Sequence, residues 1–376
     1  MKKLLKFVVI GFAGLLISSC KDNQKNDPVN NNTLFSLVPS EYSNLNFENT
    51  VLQTKLNNHM INSQFISGGG VAVGDINNDG LQDVFFTGNQ VSDKLFLNKG
   101  DLKFENISNK AGISQDNNWS TGVTFVDIDS DGDQDIYVCR FTYLENEKSA
   151  NQLYINNGDS TFTEQALSFG LADKGFSIQA TFFDFDNDGL LDVYIVNQPP
   201  SIPNIGNKMN LEQFSDILFS DRLYKNMGNG KFTDYTIKSN VRNFGFGLAA
   251  TTGDFNNDGW QDIYVSNDFD VADHMYINQK DGTFKDEIQE STKHISNFSM
   301  GSDIADYDND GNIDIMVVDM VAEDHKRIKT NMSGMNPKQF WDIVNKGGHY
   351  QYMFNTLQRN NGNGTFSELG QLAGVT

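Results

Sequence analysis

Asp127-Ile128-Asp129-Ser130-Asp131-Gly132-Asp133-Gln134-Asp135 is one of five copies of a nine-residue acidic loop. The others are Asp75-Ile76-Asn77-Asn78-Asp79-Gly80-Leu81-Gln82-Asp83, Asp184-Phe185-Asp186-Asn187-Asp188-Gly189-Leu190-Leu191-Asp192, Asp254-Phe255-Asn256-Asn257-Asp258-Gly259-Trp260-Gln261-Asp262 and Asp306-Tyr307-Asp308-Asn309-Asp310-Gly311-Asn312-Ile313-Asp314. The copies stand 52, 57, 70 and 52 residues apart. A chemical site repeated at that period implies a repeated structural unit.

Positions 1, 3, 5 and 9 of every copy carry Asp or Asn, a set of hard oxygen donors. Calcium takes six to eight such ligands and tolerates irregular geometry, and position 7 would add a backbone carbonyl. Magnesium demands stricter octahedral geometry. Zinc and copper favour His or Cys, and the loops contain neither. Position 6 is always Gly, as a sharp turn in a conformation hostile to a Cβ requires. The candidate metal ligands are therefore Asp75, Asn77, Asp79, Asp83, Asp127, Asp129, Asp131, Asp135, Asp184, Asp186, Asp188, Asp192, Asp254, Asn256, Asp258, Asp262, Asp306, Asp308, Asp310 and Asp314. Asp/Asn/Gly turns that bind nothing would explain one such loop better than five in register. The loops hold 19 of the 49 acidic residues, so five Ca²⁺ would bring the net charge from −21 to about −11. Asn at position 3 predicts that loops 1 and 4 lose metal first.

An EF-hand opens in the same way but needs a bidentate Glu at position 12 and flanking helices. Here position 12 is Phe86, Val138, Ile195, Val265 or Val317, inside β-branched and aromatic runs that read as strands. A second signature follows each loop. It runs Leu95–Phe104, Leu153–Phe162, Leu223–Phe232, Met275–Phe284 and Leu357–Phe366, with an Asn/Gly/Asp turn between apolar residues, as in a β-hairpin. With the strand ahead of each loop, every unit has four strands: A, acidic loop, B, then C, tight turn, D. Such units are β-propeller blades. They fall near 67–113, 118–172, 176–240, 245–292 and 298–371.

The loop and the Leu-Tyr-x-Asn-x-Gly-x-Gly-x-Phe hairpin together resemble the FG-GAP/VCBS-type repeats of integrin-α-like calcium-binding propellers. Among these the chain is most similar to cartilage-acidic-protein-like bacterial lipoproteins, over Phe35 to the end. The resemblance implies an all-β propeller that usually closes with six or seven blades. Five visible blades are then an incomplete ring, with a closed five-bladed ring as the alternative. Residues 33–66 precede the repeats, and Phe35 to Asn49 are expected to add an outer strand to a ring-closing blade.

Lys2, Lys3 and Lys6 followed by an apolar run from Phe7 to Ile17 read as a secretory signal over 1–19, too short to span a bilayer once mature. Ile17-Ser18-Ser19-Cys20 resembles a bacterial lipobox, which implies lipidation at Cys20 and an outer-membrane lipoprotein facing the cell surface. Residues 20–32 are a polar tether, too poor in apolar residues to fold. Cys139 alone then remains, so no internal disulfide forms. The acidic balance argues against nucleic acid as a partner.

Strand alternation places the metal loops and C–D turns at one end of each blade. The B–C loops and D–A links lie at the other, including long insertions over 197–221 and 319–350. Trp119, Phe176, Phe246 and Phe298 begin the A strands at that second end and, with Trp341, are candidates for a ligand-stacking face. Packing between blades is the competing role for the first four. Function is expected to be non-catalytic binding or adhesion toward a glycan or protein. The alternatives are an extracellular polysaccharide lyase or hydrolase and a structural N-terminal propeller. The five histidines form no triad or metal motif, and no Gly-x-Ser-x-Gly is present.

Overall fold

A computed structural model describes residues 34–55, 58–60, 65, 67–141, 150–199, 217–269, 271–322, 324, 326, 327 and 336–375. The signal segment 1–19, Cys20 and the tether 20–32 lie outside the described residues. The chain divides into Met1–Pro39 and Ser40–Thr376. Residues 34–39 of the first unit are exposed. All the sheets belong to the second.

Five four-stranded antiparallel sheets follow one another along the chain. Blade 1 holds β1 (Val71–Gly74), β2 (Asp83–Phe86), β3 (Lys94–Asn98) and β4 (Phe104–Asn106). Blade 2 holds β5 (Ser120–Val126), β6 (Asp135–Arg140), β7 (Gln152–Asn156) and β8 (Phe162–Glu164). Blade 3 holds β9 (Ser177–Phe183), β10 (Asp192–Asn197), β11 (Arg222–Asn226) and β12 (Phe232–Asp234). Blade 4 holds β13 (Phe246–Gly253), β14 (Asp262–Asp268), β15 (His274–Asn278) and β16 (Phe284–Asp286). A short parallel pair, β17 (Ile295–Ser296) with β20 (Gln351–Tyr352), flanks blade 5. Blade 5 itself is β18 (Ser299–Ala305), β19 (Asp314–Asp319), β21 (Thr356–Asn360) and β22 (Phe366–Glu368). The acidic loops join A to B in all five, so these are propeller blades.

The core lies between sheets. Strand β6 is buried on both sides, which is why Asp135-Ile-Tyr-Val-Cys-Arg140 reads as a continuous apolar run and does not alternate. Ile136 and Val138 pack toward blade 1, and Tyr137 and Cys139 toward blade 3. Burial pushes the Cys139 thiol well above its ordinary range, as an inert packing residue requires. Neighbouring blades touch through their A strands. Glycine permits the approach: a Cβ on Gly122 would meet the Ile178 carbonyl oxygen at 2.5 Å. The flanks of the end blades stay open, with Val71 and Val73 each 58% exposed on β1 and Asp303 and Ala305 exposed on β18. No closed ring forms among the described residues.

The strand expected within Phe35 to Asn49 is not there. Asn44 turns the backbone at φ 59°, and a single helical turn occupies Ser40–Ser43. The Asn49 side chain donates to Asn89 Oδ1 and accepts from the Asn89 backbone N–H, each at 2.8 Å, in place of a backbone ladder. Leu45 and Phe47 instead cover the outer side of blade 1, with Phe47 stacked on Phe86 at 5.1 Å.

Candidate metal centres

Each acidic loop is built by its own side chains. The position-1 carboxylate accepts the backbone N–H groups of positions 5 and 6, as Asp127 does from Asp131 at 3.1 Å and Gly132 at 3.0 Å. Position 5 then accepts from position 7, Asp131 from Asp133 at 2.9 Å. Two left-handed residues close the turn. Gly132 stands at φ 92° and Ser130, at position 4, at φ 62°. Position 4 is Asn in the other copies, again at positive φ, which explains why Asn recurs there.

Position 9 carries two duties. Asp135 Oδ2 accepts from Ile128 N at 3.1 Å, and Oδ1 accepts from Asn156 N at 2.7 Å. The same pair of bonds recurs at Asp83, Asp192, Asp262 and Asp314. This aspartate therefore welds the loop to strand C. Burial pushes Asp135, Asp192 and Asp262 up to about 7, against the pull of those N–H donors, and neighbouring carboxylates push the same way.

The donor set fits a hard cation. One carboxylate oxygen from each of Asp127, Asp129 and Asp135 lies within 4.8 Å of the others, and Asp184, Asp186, Asp192 and Asp306, Asp308, Asp314 repeat the grouping. Ligands on opposite sides of an ion bound at about 2.4 Å span that distance. Asn77 and Asn256 stand in for the position-3 carboxylate in loops 1 and 4, and each donates to the position-5 aspartate at 3.0 Å. In loop 3 Asp186 Oδ1 is buried without a hydrogen-bond partner among the described residues. Position 5 stands outside the three-residue groups.

Two basic residues that sequence reasoning passed over enter the loops from strand C. Lys225 Nζ bonds Asp186 and also Asp188, the latter at 2.8 Å. Arg359 bonds Asp308 through Nε at 2.6 Å and Asp310 through Nη2 at 3.0 Å. Burial acts to raise Asp188, yet the Lys225 contact and the Leu190 N–H hold it below its usual value.

A second repeated acidic position was also missed, although it always stands two residues before the Leu or Met that starts the hairpin motif. Asp93, Asn151, Asp221, Asp273 and Asn355 occupy it. Asp93 and Asp273 accept hydroxyls from the next blade, Ser120 at 3.0 Å and Ser299 at 2.8 Å. Asn151 donates to Ser177 Oγ at 2.9 Å. The next A strand has Gly247 in that place, and Asn243 reaches Asp221 instead at 2.9 Å. Burial pushes Asp93, Asp221 and Asp273 up to about 6.

The aromatics at the strand starts are packing residues. Trp119 is 8% and Phe246 3% exposed, with Phe65 at 5.5 Å and Phe269 at 5.0 Å from their rings. Phe176 and Phe298 are half-buried, against Phe141 at 5.1 Å and Phe269 at 6.5 Å. A shared stacking platform is not what their burial presents. Trp341 differs, at 53% exposed on the helix Pro337–Val344.

Sheets of this layout, each with an acidic A–B loop and three of those loops gathering carboxylates that could hold a cation, define a repeat protein built of propeller blades. The chain belongs to the FG-GAP-like repeat family, whose model matches residues 67–138, 142–195, 214–265 and 254–317. It is similar to cartilage acidic protein 1 of Xenopus tropicalis, 26% identical over 225 residues, which cover 57% of this chain. The chain spans about a third, 31%, of that relative's length. Among solved structures it is similar to an Agrocybe aegerita lectin described as recognising non-reducing terminal N-acetylglucosamine. That match has 15% identity and a TM-score of 0.41, covering 79% of this chain and 64% of that one. It is also similar to the V. cholerae biofilm matrix protein Bap1, at 14% identity and a TM-score of 0.32, covering 67% and 35%.

Proposed function

We propose that this chain is a non-catalytic binding module displayed outside the cell. Calcium in the acidic loops keeps the blades together, and the opposite end engages a carbohydrate. The observation that carries the ligand side is the aromatic group on the insertion between β19 and β21. Phe340 lies 5.1 Å from Trp341, 6.1 Å from Tyr350 and 5.3 Å from Tyr352, and Tyr352 stacks on Phe354 at 5.8 Å. Trp341 and Tyr350 remain 53% and 41% exposed. Flat, partly exposed rings suit the apolar faces of sugars.

The platform is held firmly. Asn336 caps the helix by accepting from Lys338 N at 3.1 Å and Gln339 N at 3.3 Å, with Pro337 at its first position. The β17–β20 pair ties the insertion to the link between blades 4 and 5. His349 is buried and bonded to Thr292 Oγ1 at 2.8 Å. A rigid scaffold bearing an exposed insertion is the arrangement in which loops carry function.

Binding without turnover is favoured because the buried acids Asp93, Asp221 and Asp273 are engaged by hydrogen bonds within and between blades. His274 is likewise engaged, by Asp286 at 2.7 Å. Calcium is preferred to magnesium for the tolerance its irregular oxygen shell allows. Residues 1–20 support export and a lipid anchor at Cys20, and Cys20→Ser should release the protein from the membrane fraction.

The test is a glycan array probed in calcium. Retention of a glycan class, with affinity falling at least about tenfold in Trp341→Ala, supports the reading. Retention unaffected by Trp341→Ala moves the site elsewhere. Release of shortened polysaccharide would put an enzyme in its place, and binding only to a secreted protein would change the partner class.

A further inference from the structure

The residue just before the Asn that recurs in every strand C differs between blades in a way that matters to the loops. The pairings Asn98 with Phe104, Asn156 with Phe162, Asn226 with Phe232, Asn278 with Phe284 and Asn360 with Phe366 fix the equivalence. In blades 1, 2 and 4 that residue is Leu97, Ile155 or Ile277, each 8% exposed and packed in the core. In blades 3 and 5 it is Lys225 or Arg359, and both reach positions 3 and 5 of their own loop.

We infer that Lys225 and Arg359 are resident cations that take the place of a divalent ion in loops 3 and 5, so that loops 1, 2 and 4 alone recruit metal from solution. The inference rests on the reading of the acidic loops as calcium sites. Carboxylates gathered at this range repel one another unless a positive charge stands among them. A tethered ammonium or guanidinium supplies that charge at an effective concentration on the order of mM without recruiting an ion from solution, and its N–H groups occupy oxygens a metal would need. Asp186 Oδ1 keeps a lone pair free in loop 3, so an ion entering there competes with Lys225 for the remaining oxygens.

The other three loops differ in kind. Loop 2 carries five aspartates, and its strand-C neighbour is Ile155, so no side-chain cation arrives from that position. In loops 1 and 4 the bridge between positions 3 and 5 is the neutral amide of Asn77 or Asn256. A flipped amide presents its oxygen to a metal, whereas a lysine or arginine has no acceptor to present. Lys280 touches loop 4 only at Asp258, at 3.3 Å from the exposed C–D turn. Turning the Asn256 oxygen toward a metal would exchange only that amide's own contacts with Asp258. The order of affinity then runs loop 2 first, loops 1 and 4 next, and loops 3 and 5 last. That reverses the order expected from Asn at position 3 alone.

The experiment is calorimetric titration of calcium into the chelator-stripped chain, with terbium luminescence as a second readout of site number. The wild type should bind about three ions. Lys225→Leu and Arg359→Leu should each raise the number by one, and the double variant by two. The converse variant, Ile155→Lys, should lower it by one, and Lys225→Met, which keeps the length of the side chain and removes its charge, should raise it by one and covers the case in which a leucine variant does not fold. Five ions in the wild type, or an unchanged number in the variants, would overturn the resident-cation assignment while leaving calcium binding intact. No ion bound, with an unchanged melting temperature in chelator, would overturn both.

Discussion

Asn278 of blade 4 donates through Nδ2 to the backbone carbonyl of Phe185, the second residue of the acidic loop in blade 3, at 2.7 Å. Asn156 reaches Ile76, and Asn360 reaches Phe255, in the same manner at 2.8 and 2.7 Å. The Asn of each of these hairpins also accepts, through Oδ1, an N–H from its own turn and sends a backbone N–H to its own position-9 aspartate. One side chain thus links the acidic loop of one blade to the loop and hairpin of the next. Whatever orders a loop also orders the contact between blades.

Asn278→Ala should therefore cost about 2–4 kcal/mol, because it leaves the buried carbonyl of Phe185 and the partly buried carbonyl of Gln261 without that donor. Asn361, the exposed residue that follows Asn360 in blade 5 and is bonded to Thr365 Oγ1 at 3.1 Å, is the control. Asn361→Ala should change stability by no more than about 0.5 kcal/mol. Urea unfolding midpoints of the two variants check this.

Gly122→Ala tests the approach of the A strands. The added Cβ meets the Ile178 carbonyl oxygen at 2.5 Å and Gln179 Cα at 3.1 Å, both backbone atoms that cannot swing aside. A loss of about 1–3 kcal/mol is expected. A melting temperature equal to the wild type would show that blades 2 and 3 are not so closely apposed.

Asp273 gives a pH test. Burial raises its folded-state value to about 6, above the 3.8 of an unperturbed aspartate. A raised carboxyl contributes stability that is full below about pH 4 and declines as the pH climbs toward 6, since the folded state then holds the proton the unfolded state has released. Asn151 performs the same linking role in blade 2 without a charge. Asp273→Asn should accordingly fold and lack that part of the pH dependence, gaining on the wild type between pH 4.5 and 6.5 by on the order of 2 kcal/mol. Denaturation at the two pH values reads the difference. Asp273→Leu, which strands Tyr264 and Ser299, should instead lose about 3 kcal/mol at both.

The repeat made the architecture legible. Hydrophobic position 12 separated these loops from EF-hands, and the strands stand where that reasoning put them, because loop, strand and hairpin signals are all local. What crosses between blades was less visible. Ser120, Ser177 and Ser299 directly follow Trp119, Phe176 and Phe298 in the sequence, but their hydroxyl partners lie in a different repeat. The aromatic positions Trp119 and Phe246 could have faced solvent or a neighbour with equal periodicity, and only the packing of blades decides that they are buried. Lys225 and Arg359 looked like ordinary variation in a strand. Their significance depends on the strand end lying beside the loop, a relation the hairpin register fixes. The segment 35–49 misled because alternating apolar residues suggest a strand, while Asn44 and the Asn49–Asn89 side-chain pair settle it as irregular chain.

A bound ion in the acidic loops is proposed to hold the blades together, and thermal unfolding in excess calcium against excess chelator measures this most directly. Ions bound at concentrations far above their dissociation constants add about 4 kcal/mol each, so stripping them should lower the melting temperature by about 10 °C or more. An identical melting temperature in the two conditions would contradict it.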